Sequence, residues 1–207
     1  MAYRKTEATE ARKQARRRAI LSTATALFGK HGYHATTVPM IVAEAEVSTG
    51  SFYMYFRNKE DVFNAALEEL GLAVAQVLDE LKESQPDQVE RIAQGAEAIF
   101  LFLAKNPEQA RILLVESSGL SPRLEQTRRS IIHHQVEELR LMLDSAPSLF
   151  ALQNTVIAAR CIAGATFEAV YSWLEEDPKI RLPAAEVARA VARFNTQAVK
   201  KHPEKRE

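Results

Sequence analysis

Apolar residues recur along this chain at helical spacing, and no segment sustains the alternation of a strand. From about Ala11 to Lys30, Ile20, Ala24, Leu27 and Phe28 share one face. Gly32 is placed to cap that helix, because glycine tolerates the left-handed conformation. Thr36 or Thr37 caps a second helix, with Pro39 in its first turn and Met40, Ile41 and Ala45 along it. A break at Glu46–Val47 leads to Ser48, the N-cap of a third helix over about Thr49–Tyr55. Asn58, with Asp61 three residues on, resembles a capping box. It opens a long fourth helix whose stripe of Phe63, Leu67, Leu70, Val74, Val77 and Leu81 runs to about Lys82. After a turn at Ser84–Asp87, five more helices are predicted over about 88–105, 108–117, 122–144, 148–176 and 183–201, with prolines at the joints.

Composition sharpens this picture. With 7 Gly and 8 Pro in 207 residues, turn-formers are too scarce for an all-β sandwich or barrel. The chain is 46% hydrophobic and 26% charged, enough to bury a real core. Cys161 is the one cysteine, which excludes an internal disulfide; it is read as a small buried hydrophobe. The longest apolar run, Ala98–Ala104, falls far short of the roughly 20 residues of a membrane span. The N-terminal segment lacks a signal peptide's apolar centre, so a cytoplasmic location is expected.

Net charge is zero, yet residues 1–60 carry 10 Lys/Arg against 5 Asp/Glu. Arg4, Lys5, Arg12, Lys13, Arg16, Arg17 and Arg18 concentrate that excess in one arm. Such a segment on a neutral chain suggests an anionic partner for the segment alone, a solvated tail being the alternative.

Residues 36–56 read as two short helices joined by a tight turn, with a third before them, which is the helix-turn-helix plan. Its requirements are met residue by residue. Ile41, Ala45, Val47 and Phe52 supply the apolar contact between the helices. Ser48, Thr49, Gly50 and Ser51 supply a small, polar groove face. Thr37, Tyr53, Tyr55 and Lys59 flank it, where phosphate contacts are needed.

The stretch TTVPMIVAEAEVSTGSFYMYFRNKEDVFNAAL resembles the N-terminal domain of the TetR family of bacterial transcription regulators. Thr37, Ile41, Ala45, Val47, Ser48, Gly50, Tyr53, Tyr55, Phe56, Lys59 and Glu60 stand in the family's register, and the resemblance covers about residues 14–70. It departs at Glu46, where the pattern has glycine, and at Val42, where it has alanine. The resemblance implies that Thr37, Tyr55 and Lys59 contact phosphates, that Ser48, Thr49, Gly50, Ser51 and Met54 face base edges, and that Tyr53 does either. Phe52 and Phe56 are read as core. A glutamate in the glycine's place is expected at positive φ. The basic arm is expected to be disordered until it meets DNA.

The resemblance further implies an all-α, two-fold homodimer: a basic arm and the start of helix one over 1–18, a helix-turn-helix domain over 14–57, and a ligand-sensing and dimerising bundle over 58–207. The dimer surface is assigned to Ala159 and Ala163 on one helix and to Val187, Val191, Phe194 and Ala198 on the last. Effector candidates are the apolar Phe100, Phe102, Leu103, Leu114, Phe167 and Tyr171. The polar candidates are Arg111, Glu116, His133, Arg160 and Glu168. They suggest a small hydrophobic or amphipathic effector that releases a repressor from a palindromic operator in double-stranded DNA. A regulator of the same fold that answers to a protein partner, or to no ligand, stays open. An all-α enzyme is the remote alternative: there is no metal-ligand spacing, nucleophile motif or phosphate loop, and neither a cofactor nor a metal is expected.

Overall fold

The computed structural model describes residues 2–85, 87–147, 150 and 154–200, with side chains from residue 8 onward. Nine α-helices are found among these residues: α1 (Ala2–Ala35), α2 (Val38–Glu44), α3 (Thr49–Tyr53), α4 (Lys59–Ser84), α5 (Gln88–Lys105), α6 (Pro107–Arg111), α7 (Pro122–Asp144), α8 (Thr155–Glu175) and α9 (Ala184–Val199). No helix is long and apolar enough to cross a membrane among the described residues.

The caps follow the side chains that the sequence supplies. Thr37, Ser48, Asn58, Asp87, Ser121 and Asn154 each accept an N–H from the first turn of the helix they precede. Asn58 accepts from Asp61, but Asp61 does not return the bond to Asn58 as a capping box would; its carboxylate takes the Arg57 N–H. Gly32 sits at φ 82° and breaks the helical path inside α1. Glu46 is at φ 52°, the one non-glycine residue at positive φ among those described.

Ile20, Ala24 and Phe28 of α1, Ile41 of α2, Phe52 of α3, and Val62 and Phe63 of α4 are buried together. Phe28 meets Phe63 edge-on at 4.9 Å between centroids. The same core continues without a break through α4 into the bundle of α5–α9 and reaches Val199. In the bundle α5 lies against α4, α8 and α9, while α7 packs on α4 and α8. On the other side, α1 rests on α6. A Cβ on Gly29 would lie 2.3 Å from Cβ of Glu108, so only glycine permits that approach.

Four expectations need correction. The N-terminal arm is helical from Ala2, because Ala, Glu, Gln, Lys and Arg are strong helix formers and Glu10 pairs with Lys13 at 3.7 Å. The helix expected over 108–117 is α only as far as Arg111; Ile112–Glu116 form a π-helical turn, closed by the Ser117 N–H on the Ile112 carbonyl. The helix expected over 148–176 begins at Thr155, and residues 148, 149 and 151–153 lie outside the described residues, as do Pro86 and residue 201. Cys161 is exposed, on the outer face of α8.

The strain at Glu46 can be measured. Glu46→Gly should raise the melting temperature by about 1–3 °C, as expected for removing on the order of 1 kcal/mol of left-handed strain, partly offset by chain entropy. Glu46→Val, β-branched at positive φ, should lower it. A Glu46→Gly protein that melts below the parent would contradict this account.

Candidate nucleic-acid interface and ligand cavity

The turn between α2 and α3 sorts their side chains by face. Phe52 is fully buried, and Ser51 is 8% exposed. The groove face expected for Ser51 is therefore corrected: as the third residue after the cap it turns inward, its N–H bound to Ser48 Oγ at 3.1 Å. Thr49 and Gly50 remain exposed, and a Cβ on Gly50 would touch nothing within 4 Å. Tyr53 and Met54 are 55% and 74% exposed although both are large and apolar in body. Ser48, Thr37 and the Glu46 carboxylate share that accessible surface, and Tyr55 is half-buried. The structure thus gathers Ser48, Thr49, Gly50, Tyr53 and Met54 on one outward face, with Thr37 at the start of α2. The basic side chains of α1 from Arg12 to Arg18 are exposed except Arg17, whose guanidinium lies 5.2 Å from the Phe56 ring centroid. Sequence reasoning misses that contact, which brings the α1 extension beside the end of α3.

Lys59 is engaged differently from its expected phosphate contact. Its ammonium donates to the carbonyls of Tyr33 at 2.7 Å, Thr36 at 2.9 Å and His34 at 3.4 Å. It also lies 4.2 Å from the Tyr33 ring centroid. The positive charge thus closes the C-terminal carbonyls of α1, where a cation is favoured. Burial lowers the Lys59 pKa from its ordinary value. Its backbone N–H, at the first position of α4, takes no part in this clamp. Beside it Asp61 takes the guanidinium of Arg57 at 3.0 Å and of Arg123 at 3.1 Å, and chiefly through the Arg57 hydrogen bond its pKa falls to about 2. Ser121 donates to Glu60 at 3.2 Å, and Glu116, at the end of the π-turn, accepts the Tyr33 N–H at 2.9 Å. The helix-turn-helix is thereby tied to α7 and to the π-turn.

The effector candidates do not converge. Phe100, Leu103 and Phe167 are core residues, and Phe102 and Leu114 are half-buried against the core. Arg111 pairs with Glu175 at 2.8 Å, and Glu116 is the Tyr33 partner. His133, Arg160, Glu168 and Tyr171 are exposed, and Glu168 accepts the Ser172 hydroxyl at 3.2 Å. His133, Arg160 and Phe167 share a shallow groove between α7 and α8. An apolar cavity of about 80 Å³ lies elsewhere, between α4, α5, α7 and α8, and none of the candidates lines it. Its wall includes Leu78, Leu81, Ile92, Gly95, Ala96, Leu139, Met142, Ile162 and Ala163, with Lys82, Arg91 and Glu138 as its charged members. The signal was available: the α4 stripe extends to Leu81, opposite the small Gly95 and Ala96 of α5.

The dimer candidates divide as well. Ala159 and Ala163 are buried inside the subunit, which removes them from any outer surface. The outward face of α8 carries Ile157, Cys161 and Gly164, one step around the helix. On α9, Phe194 is 63% exposed and Ala198 is exposed, while Val187 and Val191 are half-buried.

Lys59→Met should lower stability by about 1–2 kcal/mol, since it leaves three helix-end carbonyls without their cation. Thermal melting should register a drop of several degrees for a chain of this length. An unchanged melting temperature would contradict the clamp.

A family model described as bacterial regulatory proteins, tetR family, matches residues 20–66, the end of α1 through the first turns of α4. The regulator HbdR of Aromatoleum sp. (strain CIB) is 39% identical over 84 residues, 41% of this chain and 34% of that protein. The fatty acid metabolism regulator protein of Bacillus subtilis (strain 168) is 25% identical over 169 residues, 80% of this chain and 87% of that protein. In fold, FadR from Bacillus subtilis, solved in complex with stearoyl-CoA, superposes with a TM-score of 0.76 at 23% identity, over 87% of this chain and 97% of that one. The helix-turn-helix segment of this chain thus matches the tetR family of bacterial regulatory proteins, and the chain as a whole shares the fold of FadR from Bacillus subtilis.

Proposed function

We propose that this chain is a DNA-binding repressor that acts as a two-fold dimer and leaves a palindromic operator when an amphipathic effector enters the bundle. The observation that carries the DNA reading is the face of α3. Tyr53 and Met54 are large and exposed beside Thr49 and Gly50, the Tyr53 ring edge-on to Phe52 at 5.3 Å between centroids, while buried Phe52 anchors the helix. Such a face fits a major groove, with Thr37, Tyr55 and the Lys59 N–H as phosphate contacts and Ser48, Thr49, Gly50, Tyr53 and Met54 toward base edges. Ser51 supports α3 from beneath. The basic, helical start of α1 would follow the backbone or an adjacent minor groove.

Exposed Ile157 and Phe194 line a groove between α8 and α9, and this apolar surface supports a dimer built on those helices. A two-fold pair would set its α3 helices about 34–36 Å apart, one turn of duplex. The relatives support an acyl-type effector: one is a fatty acid metabolism regulator, and a structural neighbour is complexed with stearoyl-CoA. The cavity of about 80 Å³ favours an effector over a closed-core regulator. It is nonetheless well below the about 300–1,000 Å³ of a filled ligand pocket, so occupancy must part the helices around it. One of those helices, α4, carries the Lys59 clamp at its other end. An effector acts only by favouring the parted, DNA-incompetent state.

Duplex binding measured against salt tests the DNA reading without knowledge of the operator. Log affinity should fall linearly with log salt, and deletion of residues 1–12 should make the slope shallower by about 0.9 for each phosphate that the arm neutralises. An unchanged slope would remove the arm from the interface. Absence of duplex binding at low salt would overturn the proposed function.

A further inference from the structure

The cavity between α4, α5, α7 and α8 is apolar within and charged at one end. Thr166, the one polar residue on its inner wall, is already satisfied: its hydroxyl donates to the Ile162 carbonyl at 3.0 Å and accepts from Asn195 at 3.1 Å. The body of the cavity therefore offers a ligand nothing to hydrogen-bond. The charged residues of its lining are Lys82 at the end of α4, Arg91 on α5 and Glu138 on α7. Lys82 forms an ion pair with Glu138, its side chain 42% and that of Glu138 28% exposed, so the pair stands where the cavity meets solvent. Arg91 differs. It has no ion-pair partner among the described residues, and its Nε is buried without a hydrogen bond.

Of the two cations in this lining, Lys82 is held by Glu138 and, from outside the lining, by Asp79 at 3.2 Å, while neither carboxylate serves Arg91. A buried guanidinium nitrogen left unpaired is costly, and the chemistry that relieves it is an anionic oxygen. We propose that Lys82 and Arg91 form the head-group site for an effector with an anionic head on an unbranched apolar body, and that Glu138 is the internal carboxylate holding this site until the effector arrives. The head takes Lys82 and Arg91 together, Glu138 is released to solvent, and the apolar body enters past Leu78, Leu81 and Met142. A half-exposed ion pair opens easily, which suits Glu138 to give way. Met142, unbranched and adaptable, suits a wall that must reshape. Neutral and cationic amphiphiles are disfavoured by the same arrangement, because they leave Arg91 unpaired or oppose both cations. The shared ligand chemistry is a carboxylate or phosphate oxygen anion joined to an alkyl chain. This site rests on the effector reading above and adds to it the selection by charge.

The experiment measures binding of dodecanoate, dodecanoyl-CoA, dodecanol and dodecylammonium to the full-length protein by calorimetry. At least one of the two anionic ligands should bind about tenfold or more tightly than dodecanol, and dodecylammonium most weakly. The stronger of the anionic pair identifies the head as carboxylate or phosphate. Lys82→Met and Arg91→Gln should each weaken the anionic ligand by about tenfold while leaving dodecanol within about twofold, and Lys82→Arg should retain the preference. Glu138→Gln, which keeps shape and removes the competitor, should tighten the anionic ligand and leave dodecanol unchanged. A merely structural role for these residues would move all ligands together. Dodecanol binding as well as both anions, or Glu138→Gln weakening the anion, overturns the head-group site and leaves the effector cavity standing. Binding of none of the four overturns the effector reading along with it.

Discussion

The Lys59 ammonium is the point on which the two halves of this molecule depend. An α-helix ends in carbonyls that nothing inside the helix can satisfy. At the end of α1 the carbonyls of Tyr33 and His34, with that of Thr36 just beyond the helix, converge on a single cation from the first turn of α4. That cation fixes the angle at which α1 leaves the helix-turn-helix relative to α4, the longest helix of the bundle. Around it the Asp61 carboxylate holds Arg57 and Arg123, and Glu116 holds the Tyr33 N–H. The recognition surface is thus mounted on the bundle by charge-assisted hydrogen bonds to backbone and side chains, in addition to the shared aromatic core of Phe28 and Phe63.

Such a mounting suits a regulator. The face of α3 is built from residues that gain nothing by being exposed in the free chain, Tyr53 and Met54 foremost. The cavity lies at the far end of α4 from the clamp, and α4 is one continuous helix between them. In the proposed regulator, a change in the spacing of α4, α5 and α7 would reach the joint that orients α3 through this one helix. The tight contact of Gly29 with Glu108 and the π-turn that delivers Glu116 make the joint between α1 and α6 equally intolerant of small shifts. Packed joints of this kind switch between arrangements more readily than they bend.

Much of this is legible from sequence. Helix number, caps and joints follow from periodicity and from the placement of Thr, Ser, Asn, Asp and Pro, because those signals are local. The strained Glu46 is legible because a pattern that requires glycine leaves its conformation behind when the residue changes. The burial of Ser51 escapes because a five-residue helix has too few positions for its buried face to show. The Lys59 clamp escapes because a basic residue near such a turn serves a phosphate or a helix end equally well in sequence, and the contact with Tyr33, 26 residues away, appears only in the folded chain. Ala159 and Ala163 fail as dimer residues because α8 is small and apolar on two faces. The cavity escapes since bulky aromatic residues fill a core, while the void forms where Gly95 and Ala96 leave room.

The central claim is that α3, carried by a two-fold pair, reads duplex DNA in the major groove. Its most direct test is selection of random duplexes by the purified protein, followed by sequencing. The account predicts an enriched inverted repeat whose half-sites are centred about 10 base pairs, or a multiple, apart, and its loss when Tyr53 and Met54 are both replaced by alanine. Selected pools with no common sequence, or an inverted repeat that survives the double substitution unchanged, would contradict it.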